Sequence, residues 1–152
     1  MTIELRPATE EDAISIADLY INSRTLFLPY APSAHSESEI REYIKGLVSN
    51  GVVTVATESD TIQGFLAIAR AEGYGEIDQL YLDLEAVGKG TGTLLLNHAK
   101  LLLGAPIRLY TFQQNLGARR FYERNGFVPI EFGDGTKNEE QCPDVLYEWK
   151  TD

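Results

Sequence analysis

Cysteine is nearly absent: Cys142 is the only one in 152 residues, so no intrachain disulfide can form. Burial and hydrogen bonding must hold the fold, and this length suits one domain, residues 1–152, with a core of its own. A lone thiol fits a reducing, cytoplasmic setting. Cys142 sits beside Pro143 with no base or cation in view, which makes it a loop residue rather than an acyl-carrying nucleophile. No apolar run approaches the roughly 18–20 residues that cross a bilayer, and the opening MTIELRP has no signal-peptide pattern, so no membrane role is expected. Positive charge is also scarce. Thirteen Lys and Arg face 23 Asp and Glu, and a net charge of −10 argues against nucleic acid as a partner. No metal-binding set is expected.

A second absence is local. From Val87 to Tyr122 there is no Asp or Glu, while Lys89, Lys100, Arg108, Arg119 and Arg120 fall there. Inside an acidic protein this is a basic segment, although Lys100 and Arg108 read best as solvated surface charges. The same segment opens with Gly88, Gly90 and Gly92 at every second position. That spacing permits positive φ and close approach of another molecule to the backbone. Before it, Glu76 to Asp83 reads as a strand; after it, Thr93 to Leu103 carries Leu95, Ala99 and Leu102 at helical spacing. A glycine turn feeding a helix N-terminus offers unpaired N–H groups to a phosphate or pyrophosphate.

The remaining elements follow from breaks and caps. Ile3 to Arg6 is a strand ended by Pro7. Thr9 and Asp12 cap a helix bearing Ala13, Ile16, Ala17 and Tyr20 on one face. Leu26 to Pro32 is broken by two prolines and is expected to be irregular. Ser36 and Glu39 form a capping box for a helix through Leu47, ended by Gly51. Val52 to Thr57 and Ile62 to Ala71 are strands joined at Ser59-Asp60, and Gly73-Tyr74-Gly75 turns into the Glu76 strand. Pro106 to Thr111 is a strand. Asn115 caps a helix on which Ala118 and Tyr122 share a face, Gly126 ends it, and Phe127 to Phe132 and Val145 to Trp149 are the last strands. The order is strand, two helices, three strands, helix, strand, helix, two strands: an α/β domain of the α+β type around a mixed sheet.

The glycine spacing decides which phosphate ligand fits. No Gly-x4-Gly-Lys-Ser/Thr run exists, which removes the P-loop. The order Gly-x-Gly-x-Gly, with no acidic residue from Ala86 to Tyr122 for a ribose, removes the dinucleotide fingerprint. Val87-Gly88-Lys89-Gly90-Thr91-Gly92 instead resembles the Gln/Arg-x-x-Gly-x-Gly/Ala motif of the GNAT (Gcn5-related) N-acetyltransferases. It departs where Val87 replaces Gln or Arg. Asn115 to Phe127 is similar to the family's later motif, Asn-x-x-Ala-x-x-x-Tyr followed by Gly-Phe.

The resemblance implies a mostly antiparallel sheet splayed at its fourth strand, about four helices, and acetyl coenzyme A as the donor. It implies cofactor contacts from Val87, Gly88, Lys89, Gly90, Thr91, Gly92, Thr93, Asn115 and Ala118. Backbone N–H groups of Leu80, Tyr81 and Leu82 would stabilise the thioester oxygen and pair with the pantetheine arm. Tyr122 would protonate the leaving thiolate. Glu76, eleven residues before Val87, or Asp78 would act as base, directly or through water, with surface carboxylates as the equal alternative. Phe27, Tyr30 and His35 fall where the family lines its acceptor pocket. Glu139, Glu140 and Asp144 would give that pocket a negative potential suited to a cationic small-molecule or peptide amine. A homodimer through an edge strand is a further implication. The alternative function is an acyl coenzyme A-binding module without catalysis.

Overall fold

One capping box, Thr9 with Asp12, opens the short 3-10 turn Glu10–Asp12 that runs into the first helix, and a second, Ser36 with Glu39, opens the second helix. Asp12 Oδ2 accepts from the Thr9 N–H at 2.7 Å, while Ser36 and Glu39 exchange reciprocal bonds of 2.9 and 3.2 Å. The computed structural model describes residues 2–151. Its strands are β1 (Glu4–Pro7), β2 (Val53–Glu58), β3 (Thr61–Ala71), β4 (Tyr74–Leu82), β5 (Ile107–Phe112), β6 (Val128–Gly133) and β7 (Asp144–Trp149). The helices are α1 (Ala13–Phe27), α2 (Glu37–Ser49), α3 (Thr91–Leu103) and α4 (Leu116–Arg124), in the expected order. Most boundaries shift by one or two residues, β4 for instance taking in Tyr74 and Gly75, and two differences change the reading of the site. Helix α1 continues through Leu26 and Phe27 and stops only at Leu28, immediately before Pro29. Helix α3 starts at Thr91, so Gly92 is helical rather than part of the turn.

The strands form one seven-stranded sheet in the order β1-β2-β3-β4-β5-β7-β6. All pairings are antiparallel except β4 with β5, and that pair has only two rungs, Gly75 to Ile107 and Glu76 to Arg108. Beyond them the sheet splays, leaving one edge of β4 open. The pairing with β3 also slips: Ala67 faces Gln79 and Ile68 faces Ile77, so Asp78 is an extra residue, a β-bulge. The bulge changes which way β4 points. Ile77, Leu80 and Leu82 all reach the core under α3, whereas Gln79 and Tyr81 face α1 and α2. Strict alternation would have put Ile77 and Leu80 on opposite faces.

Two cores result. Leu95, Leu96 and Ala99 of α3 and Tyr122 of α4 pack on one side of the sheet with Ile107, Leu109, Val145 and Tyr147. Ile16 and Tyr20 of α1 and Ile40 and Ile44 of α2 cover the other side over Val53, Val55 and Phe65. Fully buried side chains such as Leu95 and Ile16 each stabilise by about 1.5–3 kcal/mol relative to exposure. On that second side, α1 and α2 cover β2, β3 and β4 but leave the face of β5, β7 and β6 open.

Candidate active site

The glycine turn is built from two different requirements. Gly88 and Gly90 have φ of +82° and +87°, a conformation costly to residues with a side chain, and each has open space where a Cβ would point. Gly92 serves packing instead: a Cβ there would lie 3.2 Å from Phe121 and 3.5 Å from Leu82. The turn delivers the chain into the N-terminus of α3, whose first-turn N–H groups have no partner within the helix. The Thr91 hydroxyl is buried without a hydrogen-bond partner. Val87 and Lys89 stand exposed on the rim. Open space, free donors and positive dipole end together fit a pyrophosphate.

Three other basic residues of the acid-free segment are engaged elsewhere. Lys100 donates to the Asn125 carbonyl at 2.7 Å and lies 4.7 Å from the Trp149 ring centre; Arg108 pairs with Glu148 at 2.8 Å; Arg119 donates to the Tyr147 hydroxyl at 3.1 Å. Only Lys89 belongs to the turn.

Next to the turn lies the open edge of β4 at Leu80, Tyr81 and Leu82. The Leu82 carbonyl is taken by the Ser23 hydroxyl at 2.8 Å. Tyr122 is buried on α4, edge-on to Phe121 and Phe127 with ring centres 5.1 and 5.7 Å away. Burial, and secondarily Tyr81, push the Tyr122 phenol well above its ordinary pKa, so it holds its proton at neutral pH. Asn115 caps α4, its Oδ1 accepting from the Ala118 N–H at 3.2 Å.

On the opposite side of the splay the uncovered sheet face is one wall of a cleft of about 1340 Å³. Asp78 and Gln79 form its floor, Tyr110 and Phe112 of β5 and Leu146 of β7 its back, and the β6–β7 loop its rim. Partial enclosure, and then the charge of Glu76, raise the Asp78 carboxyl above its ordinary pKa. A second, smaller cavity of about 190 Å³ adjoins it, holding Glu76 and sharing Asp78, Tyr110 and Leu146.

Four of the expected acceptor residues meet at this cleft: His35, Glu139, Glu140 and Asp144. His35 Nε2 lies 2.7 Å from Glu139 Oε2, which raises the imidazole pKa. Glu140 pairs at 3.1 Å with Arg24. Phe27 and Tyr30 do not line it. Phe27 ends α1 exposed to solvent, and Tyr30 packs edge-on against Phe112 at 6.3 Å. Cys142 is buried and its thiol is pushed up by burial, which leaves it inert.

Arg24 is the residue that sequence reasoning missed. It is 8% exposed and joins three walls of the cleft, donating to the Tyr81 hydroxyl at 3.2 Å, the Ala31 carbonyl at 2.9 Å and Glu140. The signal was available: Ile16, Tyr20 and Arg24 fall at i, i+4 and i+8, so the arginine continues the buried stripe of α1.

Residues 49–129 match the family model described as an acetyltransferase (GNAT) domain. The fold is shared with solved structures. These include apo YjaB from Escherichia coli (21% identity, 98% of each chain covered, TM-score 0.78) and a GNAT-family acetyltransferase from Bacillus cereus (18%, 99% of each, 0.79). A third is the PaiA N-acetyltransferase of Thermoplasma acidophilum in complex with coenzyme A (24%, 99% of this chain and 100% of that one, 0.75). No protein of curated function matches the chain in sequence.

Proposed function

The chain belongs to the GNAT family of acetyltransferases, which use acetyl coenzyme A, and on that premise we propose that it acetylates a primary amine by direct attack in a ternary complex. The observation that carries this reading is the splay after Glu76 and Arg108, which leaves the β4 edge open between the glycine turn and the acidic cleft. Acetyl coenzyme A supplies an activated thioester. The turn from Gly88 to Thr93 would hold its pyrophosphate, with Lys89 adding charge and Val87 none, and the open edge at Leu80 to Leu82 would align the pantetheine arm as an added strand. Asn115 and Ala118, at the start of α4, would contact the cofactor near Tyr122.

Chemistry assigns the rest. An alkylammonium with a pKa near ~10 must lose a proton before it attacks. Asp78, with its carboxyl raised by enclosure and by Glu76, would take that proton directly or through water. The amine nitrogen then forms a bond to the acetyl carbon as the carbon–sulfur bond breaks, and backbone donors of β4 offset the charge developing on oxygen. Tyr122 would give its proton to the departing thiolate. The products are the amide and coenzyme A thiol: the second proton that the amine nitrogen sheds on becoming an amide restores Tyr122 by way of solvent, and Asp78 releases the first to solvent, so one proton is freed for each amide formed.

The test is a thermal-shift titration with acetyl coenzyme A, coenzyme A, ATP and NADH. A ligand bound only by the folded state adds about 2.7 kcal/mol at a hundredfold excess over its dissociation constant. Stabilisation by the two coenzyme A species alone supports the reading; no shift with them removes it.

A further inference from the structure

The proposed acceptor cleft carries more negative charge than one reacting amine needs. Asp78, Glu131 and Asp144 all line it, and Glu76 occupies the adjoining cavity. Among the described residues none of these four is in an ion pair. The cations that face the two cavities are largely spoken for: Arg24 by Glu140, His35 by Glu139 and Arg108 by Glu148, leaving Lys137 on the rim. A ligand carboxylate therefore meets no free buried cation, while a ligand ammonium meets Glu76, Asp78 and Glu131, and beside them Asp144, which accepts only a neutral hydrogen bond from Asn138 at 3.1 Å.

Their arrangement is as informative as their number. Tyr110 of β5 is opposite Leu146 of β7, and Leu146 is opposite Glu131 of β6. Two rungs on, and so on the same face, Phe112 is opposite Asp144. Neighbouring strands are ~4.8 Å apart, so Glu131 and Asp144 lie across an apolar strip of Leu146, Phe112 and the Tyr110 ring from the Asp78 and Glu76 end. Tyr110 is 68% exposed and lines both cavities, the larger with Asp78, Glu131 and Asp144 and the smaller with Glu76. An aromatic face beside carboxylates holds an ammonium by cation–π attraction and charge together. Carboxylates at both ends of an apolar strip match a molecule whose amines are separated by methylenes.

Resting on the acetyltransferase reading, we propose that the acceptor is a linear diamine or longer polyamine. Its reacting primary amine lies at Asp78 and Glu76, and a second, unreacted ammonium is held by Tyr110, Glu131 and Asp144. The remote ammonium contributes binding and not chemistry, so its loss appears in KM and not in kcat.

The experiment uses the full chain with three probe acceptors, n-butylamine, diaminobutane and the triamine bis(aminopropyl)amine, read by thiol release from acetyl coenzyme A. Calorimetric binding of the same amines to the coenzyme A complex runs alongside. We expect kcat/KM for the triamine to exceed that for n-butylamine by at least about thirtyfold, the advantage shrinking with added salt. In Glu131→Gln, KM for the triamine should rise about tenfold with kcat unchanged and KM for n-butylamine unmoved. Glu72→Gln, which removes an equal charge from the exposed β3–β4 turn, should match wild type. Equal use of the monoamine and the triamine, or equal effects of the two substitutions, would overturn the proposal while leaving the acetyltransferase standing. Tight, Glu131-dependent binding of the triamine without thiol release would overturn the catalytic reading and uphold the cation site. Neither binding nor release would remove the polyamine proposal.

Discussion

Glu76 stands opposite Arg108 at the last rung that joins β4 to β5. Past that rung the two strands part, and Asp78 lies just beyond it on the open β4 edge. On the proposed mechanism Asp78 would serve as the base, Tyr122 as the acid and the β4 edge as the source of backbone donors.

Tyr122→Phe removes a hydroxyl and keeps the ring that packs on Phe121 and Phe127. Turnover should fall by about a hundredfold or more, while the dissociation constant for coenzyme A stays within about twofold. Equal losses in both would mean that Tyr122 is a packing residue.

The acidic limb of the kcat/KM profile should report Asp78. Enclosure and the Glu76 charge raise its carboxyl, so activity should rise with pH through a value above the ordinary ~3.9. Glu76→Gln removes a like charge, which must lower the Asp78 pKa and move the limb to lower pH. A limb that stays put would separate the two carboxylates.

Gly90 has φ of +87° with open space where a Cβ would go. Gly90→Ala should cost about 1–2 kcal/mol of stability and also weaken coenzyme A binding, because the loop must leave the conformation that aims its N–H groups. Gly104 has φ of +68° and open space as well, at the far end of α3. Gly104→Ala should cost similar stability and leave binding alone, as calorimetry can check.

Much of this was legible in the sequence, and the exceptions are physical. Element order follows from caps and breakers such as Ser36 with Glu39, Gly51 and Gly126, because these act locally. The bulge at Asp78 leaves no local mark, since one extra residue in a strand is defined by its partner β3. Glu76 and Asp78, read as sharing a face by alternation, do both line the smaller cavity, and only Asp78 also reaches the larger one. Likewise the three glycines look equivalent, and only the packing of Phe121 on α3 shows that Gly92 is there for space. The acid-free run from Val87 to Tyr122 reads as a basic segment in which Lys100 and Arg108 are solvated surface charges, yet Lys100, Arg108 and Arg119 all have partners that only the tertiary fold supplies.

Asp12 gives a pH dependence of stability. Its hydrogen bond with Arg6, and bonds from Thr9, hold its carboxyl at about 2, below the ordinary value of 3.8. A depressed carboxyl stabilises above its unfolded pKa and loses that contribution as pH falls through the folded one. Asp12→Asn should therefore cost on the order of 1–2 kcal/mol near pH 6, after allowance for the half-exposed Arg6, and the gap to wild type should close below pH about 4. Urea denaturation across that range measures it.

The bridge from His35 to Glu139 ties the α1–α2 connection to the β6–β7 loop at the cleft rim. A raised histidine contributes fully below about 6.5 and its contribution is lost as pH climbs through the folded value. Amide exchange over residues 138–141 should quicken across that window beyond the intrinsic pH effect, and His35→Asn should remove the excess.

The most direct measurement is coenzyme A thiol release from acetyl coenzyme A with a simple primary amine, in wild type and Tyr122→Phe, with the acetylated amine weighed by mass spectrometry. One thiol for each amide formed, lost in Tyr122→Phe while coenzyme A still binds, is the expected result. Coenzyme A binding with no amide from any amine would contradict it and leave a binding module in place of an enzyme.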